Sequence, residues 1–485
     1  MGAGEPNPAQ GASSRRGRGR GPTLVLEADD ARVGREAARQ VAEEVGVVGD
    51  PQLQAYVAGI GHRLLRAAPR RPFDYQFQVV DQLEPNAFAL PGGYIFISRG
   101  LLVLANDEDE LACVIGHEIT HAVRRHAARQ QAIARHDSPL AMPWVKAATR
   151  AAYSRDMERE ADQGGQILAA AAGYDPMGMA TFLRRLESYG RLQTAEVREP
   201  FFLDSHPGAR ERAAVNKVRA QEIRWRRDPR LGDTRLSLLR HIDGLEVAQR
   251  PEAGIFQGSR FLHPDLGFQI SFPFGWQTAN TRSTVGARSP RGDAVVFLTA
   301  AGPARDPRAA AEELVKQSAE EAKAEVSVSE AVALAVGRGW RLELLLQGGR
   351  VGSLVTFLPW RGSLWRITGM ARARDAGRFR GRWVNTARSF RPLRPEQRRA
   401  IHQLRLRLAR ARPGEGLLAL ARRTHNAWDP ARTALSNGIF VGHRFQGGER
   451  VKIAVREPYR PHGESLHEGS MRSEPRFPST LPGRR

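Results

Sequence analysis

His117, Glu118 and His121 sit in a stretch, Asp107 to His126, that reads as one helix with apolar residues on most of its turns. A spacing of four places both imidazoles on the same face, one above the other. Ile115, Ile119, Ala122 and Val123 surround that face with apolar side chains. Any fold for this chain must therefore bury the helix while aiming two imidazoles at a common point. Two neutral imidazoles so placed can grip one zinc ion. Glu118 is turned about 100° away and is unsuited as a ligand to the same ion, but it can take a proton from a water that the metal activates. Asp107 serves as the helix cap, and Glu110 three residues on completes a capping box.

A catalytic zinc site requires a third protein ligand and one open position. The candidates lie on the next helix, about Ser154 to Ala172, with Ser154 as its cap. Glu158 and Asp162 are four apart and share a face, whereas Glu160 points elsewhere. Asp162 could fix an imidazole by accepting its second ring N–H. The same run, taken alone, is also compatible with an ordinary solvated helix. Ala161, Gly164, Gly165 and Ile167 favour close packing against a neighbour instead.

Three stretches in order, NAFALPGGYIFISRGLL at 86–102, HEITHAVRRH at 117–126 and YSRDMEREAD at 153–162, resemble the M48-type metallopeptidases, a group that includes bacterial periplasmic quality-control proteases. The resemblance spans roughly residues 30–220. It implies one Zn²⁺ per chain held by His117, His121 and Glu158, with Glu118 as general base. It also implies outer support from Asp162 and His126. A further pattern, SHPGARER at 205–212, resembles the family's His-Pro turn followed by arginine. That places His206 by the site, contacting a transition-state oxygen, although Ala209 stands where the family often has threonine. The strand Tyr94–Ser98 would by the same resemblance lie at a sheet edge beside the cleft. Asn86, Gly93, Tyr94, Ile95 and Phe96 would then contact an extended, unfolded protein substrate by strand pairing.

The rest of the chain has no comparable chemistry. At 485 residues and 41% hydrophobic, it can fill two or three cores. The expected class is α+β: a mainly helical zincin-like peptidase core with a small sheet, a second α+β domain, and a small C-terminal α/β module. Residues 1–27 read as a disordered segment, 28–220 as the peptidase, 221–258 as a helical extension, 259–392 as the accessory domain, 393–456 as the module and 457–485 as a disordered tail. Helices are expected at Asp30–Val45 and Pro51–Ala67, and a strand at Phe73–Val80. The module's order of strand, helix, Asn-Gly turn and strand resembles a degenerate LysM-like unit, which would imply peptidoglycan or envelope contact. The loop 136–150, with Pro139, Met142, Pro143 and Trp144, is a candidate flap over the cleft.

Composition bounds the alternatives. The single cysteine, Cys113, excludes an internal disulfide and reads as a buried apolar side chain. No run of about 18 apolar residues is present, so no transmembrane segment is expected. As written the sequence reads as cytoplasmic; an export signal ahead of the given start would place it in the periplasm or cell envelope. The net charge of +22 comes from arginines scattered along the chain. Without a motif of base-stacking aromatics they predict no specific nucleic-acid partner. Two other classes stay open beside the peptidase: a non-catalytic chaperone or assembly factor that keeps the zinc-site fold, and a basic nucleic-acid or membrane-surface binder.

Overall fold

The computed structural model describes residues 27–70, 74–127, 153–192, 201–281, 283–322 and 324–460. The segment 1–26, Phe73, the proposed flap at 136–150 and the tail beyond 460 lie outside the described residues. No helix among the described residues is long and apolar enough to cross a membrane.

The architecture is mixed α+β. The first part opens with helices α1 (Glu27–Glu44) and α2 (Pro51–Leu65), then strands β1 (Gln76–Val80), β2 (Ala87–Leu90) and β3 (Tyr94–Ser98). Asp50 starts α2 by accepting from the Gln52 and Leu53 N–H groups. Helices α3 (Arg99–Leu104) and α4 (Glu108–Val123) follow, then α5 (Arg155–Ala171), α6 (Gly178–Leu192), α7 (Phe202–Ser205), α8 (Ala209–Glu222) and α9 (Thr234–Ile242). Leu53, Val57, Ile60, Ile95, Ile97, Ile115, Ile119, Phe182 and Leu186 belong to one buried core here.

The three-stranded sheet has the order β1-β3-β2, with β3 parallel to β1 and antiparallel to β2. This corrects the expected place of Tyr94–Ser98, which is the central strand. Its backbone is paired on both sides, Ile95 and Ile97 face the main core, and Tyr94 and Phe96 pack with Val41 of α1. Among the described residues the outer strands are Ala87–Leu90 and Gln76–Val80, and Val48 N–H donates to Val79 O on the outer side of the second. The alternation that marks a strand does not reveal which strand lies outermost; that depends on pairings distant in sequence.

The expected 259–392 domain is a second α/β layer structure. Strands β4 (Ile255–Gln257), β5 (Arg260–His263) and β6 (Phe268–Ser271) lead into β7 (Gln277–Asn280), β8 (Thr284–Arg288) and β9 (Ala294–Pro303). Helix α10 (Pro307–Ala322) precedes β10 (Glu325–Leu334), β11 (Gly337–Leu346), β12 (Val351–Trp360) and β13 (Ser363–Arg372), and α11 (Ala373–Arg388) closes the unit. The seven-stranded sheet runs β10-β11-β12-β13-β9-β8-β7. Val355 and Phe357 pack with Ala310 and Ala311 of α10, while Leu354 and Leu358 pack with Phe379 and Trp383 of α11. Neighbouring residues of one strand point to opposite faces, so the two helices cover opposite faces of the sheet.

After β14 (Arg391–Pro392) and α12 (Pro395–Arg399), the last unit consists of β15 (His402–Arg410), α13 (Leu417–Thr424), α14 (Pro430–Asn437) and β16 (Arg450–Pro458). Where the sequence reading placed one helix, two lie between the strands. Their break at Trp428–Asp429 comes from Asp429, which caps α14 by accepting from Arg432 N–H, and from Pro430. β15 and β16 pair antiparallel. Leu406, Trp428, Leu435 and Ala454 of this unit pack into the same core as Leu111, Leu238 and Ile242.

Candidate metal centre

Helix α4 supplies His117, Glu118 and His121. The Asp107 carboxylate accepts from Glu110 N–H at 2.9 Å, and Glu110 accepts from Asn106 N–H at 2.9 Å, one residue earlier than a capping box requires. The helix stops at Val123 rather than running to His126. Arg125, with φ 54°, breaks it in a left-handed turn, and Asp30 of α1 holds the Arg125 guanidinium at 2.7 and 3.0 Å. That turn folds His126 back, so that its Nδ1 stands 2.8 Å from His121 Nδ1 and its Nε2 3.1 Å from Glu160.

Helix α5 starts at Ser154, whose hydroxyl accepts from Met157 N–H. It crosses α4 at a point made of glycines. A Cβ on Gly165 would lie 2.8 Å from Cys113 O and His117 N, and one on Gly164 would overlap Thr120. This close approach brings Glu158 to the histidines. Ile167, which the sequence reading assigned to the packed face, points outward and is 50% exposed.

The third element is the α7–α8 turn. His206 ends α7, and Gly208, at φ 83°, caps α8, which begins at Ala209. Phe202 stacks on His206 at 4.1 Å between ring centroids, and Tyr153 stacks on His121 at the same distance.

His117, His121, Glu158 and His206 thus converge, each with one donor atom and all within 4.8 Å of one another. His117 Nε2 and His121 Nε2 are 2.9 Å apart, and His206 Nδ1 lies 3.2 Å from His117 Nε2 and 2.8 Å from Glu158 Oε1. All four residues are buried. Glu118 lies alongside with its Oε1 3.7 Å from His206 Nε2, and neither of its oxygens has a hydrogen-bond partner among the described residues.

The electrostatics suit a divalent cation. Burial, reinforced by His117, holds His121 well below the ordinary histidine range, so it is neutral. Burial alone would raise the Glu158 carboxyl, but His206 and Arg212 outweigh it and hold it well below the usual carboxylate range. Neutral imidazole and ionised carboxylate are the protonation states a metal ligand needs. Burial also raises Glu118 above its ordinary value, only partly countered by His206 and His117. His206 moves upward: burial lowers it, and Glu158 and Glu118 more than reverse that. Three imidazoles and a carboxylate are donor types that zinc takes, so the donor set fits zinc.

Asp162 stands 3.0 Å from His117 Nδ1. Asn86, Gly93, Tyr94, Ile95 and Phe96 are not brought into the cluster. Arg212, Asn216, Tyr153 and Phe202 belong to the site's surroundings and were not singled out from the sequence. Arg212 was legible only as the last residue of the quoted SHPGARER pattern. Glu160 contacts His126 and Arg124 and stands apart from the four donors.

Residues 51–152 and 140–220 match the family described as Peptidase family M48. The chain is 28% identical over 228 residues to a beta-barrel assembly-enhancing protease of Escherichia coli, covering 42% of this chain and 46% of that protein. It is likewise 28% identical over 199 residues to a mitochondrial metalloendopeptidase of Schizosaccharomyces pombe, covering 37% of this chain and 58% of that one. The chain thus spans about half the length of the curated relatives it matches. Among solved structures, a cyanobacterial PsbP protein from Synechocystis is similar over 28% of this chain and 95% of its own, with 15% identity and a TM-score of 0.25.

Proposed function

Taking residues 51–220 as an M48-family peptidase domain, we propose that this chain is a zinc-dependent metalloendopeptidase that cleaves unfolded or extended protein segments. The observation that carries this reading is the convergence of four buried donors within 4.8 Å, beside a buried carboxylate, Glu118, whose oxygens have no hydrogen-bond partner among the described residues.

His117, His121 and Glu158 would hold a zinc ion, which would supply there the positive charge that polarises a scissile carbonyl and acidifies the attacking water. Glu118 takes the water's proton and passes it to the leaving amine. A catalytic site of this type has one position not filled by protein, so one of the four donors is not a permanent ligand. His206 is that residue, because it alone sits on a turn between two helices. Displaced from the donor set, it remains near Glu118 and can donate to the oxygen that gains charge in the transition state.

Substrate pairs with the outer strand Ala87–Leu90. Ala89 and Leu90 line a recess together with His121 and Tyr153, which places that edge next to the metal ligands. One relative is named for enhancing beta-barrel assembly and another as a mitochondrial metalloendopeptidase; protein quality control in the cell envelope is the setting we assign to this chain.

The test compares wild type with Glu118→Gln, measuring bound zinc and cleavage of unfolded casein. Zinc in both and a loss of at least about 100-fold in cleavage are expected. Zinc-free wild type, or an equally active variant, overturns the mechanism. Zinc in both with cleavage in neither, combined with equal suppression of casein aggregation, would favour the chaperone. DNA or anionic-lipid binding that persists after zinc removal would favour the charge-driven binder.

A further inference from the structure

Lys452 is completely buried, and the reaction just described does not use it. It lies on β16, nearly 350 residues from the metal helix, yet its Nζ donates to Val103 O and Ala105 O at 2.7 Å each. Those carbonyls lie at the junction between α3 and α4. Two other cations complete the junction: Arg185 of α6 donates to Leu104 O and Arg235 of α9 to Asn106 O, each at 3.3 Å. Four consecutive carbonyls, 103 to 106, thus accept from three side chains of three separate elements. Immediately after them come the cap Asp107 and the helix that carries His117 and His121.

The remaining contacts make β16 a firm support. Asn437 of α14 accepts from Lys452 N–H at 2.8 Å and donates to Lys452 O at 2.9 Å. Gly438, at φ 68°, lies so close to the Asn106 side chain that a Cβ there would be 2.3 Å from Nδ2. The segment 244–247 extends the β15–β16 pair: Gly244 N–H donates to Leu406 O, Leu406 N–H to Leu245 O, and Val247 N–H to Leu404 O, at 2.8 to 2.9 Å. Burial, with Arg185 and Arg235 close by, holds the Lys452 amine well below the usual lysine range. The amine carries at least two N–H groups, enough for the two carbonyls it meets.

We infer that Lys452 is a positioning residue for the metal-bearing helix, so that the C-terminal strand–helix–helix–strand unit completes the peptidase and residues 255–392 are inserted into it. This rests on the metallopeptidase reading for its catalytic consequence, and on geometry alone for its effect on the helix.

The experiment uses the full chain as wild type, Lys452→Met, Lys452→Gln and Asn437→Ala. It measures zinc affinity by chelator competition, kcat and KM on casein, and amide hydrogen exchange. Methionine removes both donors and leaves two buried carbonyls unmatched. Exchange in residues 101–112 should quicken more than elsewhere, zinc affinity should fall about tenfold, and kcat should fall with KM unchanged. Glutamine, whose amide also carries two N–H groups, should restore zinc affinity to within about threefold of wild type. If the methionine variant does not fold, Asn437→Ala decides: faster exchange at 101–112 and weaker zinc binding support the inference. Lowered melting temperature with unchanged zinc affinity, kcat and local exchange overturns it. A wild type that binds zinc but cleaves nothing refutes the peptidase reading, while the zinc and exchange results still judge Lys452.

Discussion

Arg212 grips Asp162 with a two-pronged ion pair, Nε to Oδ2 at 2.8 Å and Nη2 to Oδ1 at 2.6 Å, beneath the metal site and out of solvent. Its remaining nitrogen, Nη1, reaches Glu158 Oε2 at 2.5 Å and His206 O at 3.1 Å. One guanidinium therefore joins the candidate donor Glu158, the carboxylate behind His117, and the turn that carries His206. Removing it by Arg212→Met leaves two buried carboxylates short of a counter-charge, which should cost about 3–5 kcal/mol. Arg212→Lys keeps a charge but not the planar fork, and should recover only part of that loss. Urea denaturation of the metal-free proteins measures both; a methionine variant as stable as wild type would contradict the assignment.

The glycine crossing makes a second prediction. Gly165→Ala forces α5 away from α4, because the new methyl would meet Cys113 O and His117 N at 2.8 Å. Overpacking of this kind costs about 1–3 kcal/mol, and the shift withdraws Glu158 from the histidines, so zinc should bind more weakly. Gly59→Ala, in α2 where a Cβ meets nothing within 4 Å, should instead stabilise by about 0.5–1 kcal/mol. Opposite signs in thermal melting, and weaker zinc retention only for Gly165→Ala, are the expected pattern.

The two carboxylates of α5 should separate in the same way. Glu158→Ala removes a donor, and Glu160→Ala removes only a partner of His126 and Arg124. Zinc affinity should fall by more than about 100-fold in the first and by no more than about tenfold in the second, the range for outer-shell support. At zinc concentrations near 100 times its dissociation constant, wild type gains about 2.7 kcal/mol from the ion. A chelator should therefore lower its melting temperature, and that of Glu158→Ala hardly at all.

What the sequence could reveal depended on how locally each feature is encoded. His117 and His121 were legible because a spacing of four on a helix fixes their shared face, and Ser154 because a cap acts within three residues. The outermost strand was not legible, since Ala87–Leu90 and Tyr94–Ser98 show similar apolar patterns and only pairing with Gln76–Val80 puts the second in the middle. Helix α11 was overlooked although Phe379, Trp383 and Ala387 carry its period of four; Gly377, Gly381 and the surrounding arginines hide it from a composition-led reading. The contact of Lys452 with Val103 and Ala105 has no local signature. It looks like any lysine in an alternating strand until the fold carries that strand to the start of α4.

A last prediction concerns the inserted domain and its pH response. His263 lies between Phe261 and Phe268, and its Nδ1 accepts from Leu266 N–H at 3.3 Å. Burial lowers its pKa to about 4, only partly opposed by Asp265. In the unfolded chain a histidine titrates near about 6.5. Between these values the unfolded chain binds a proton that the folded domain refuses, so stability falls as pH drops. The loss begins near pH 6.5, levels off below about pH 4, and reaches up to about 3 kcal/mol for a fully desolvated ring, less for one that is partly exposed. His263→Gln removes this contribution. Tryptophan-monitored urea titrations from pH 7 to pH 4 should show wild type losing stability faster than the variant throughout that window. Parallel curves for the two proteins would mean that His263 takes up its proton in the folded domain as readily as in the unfolded chain.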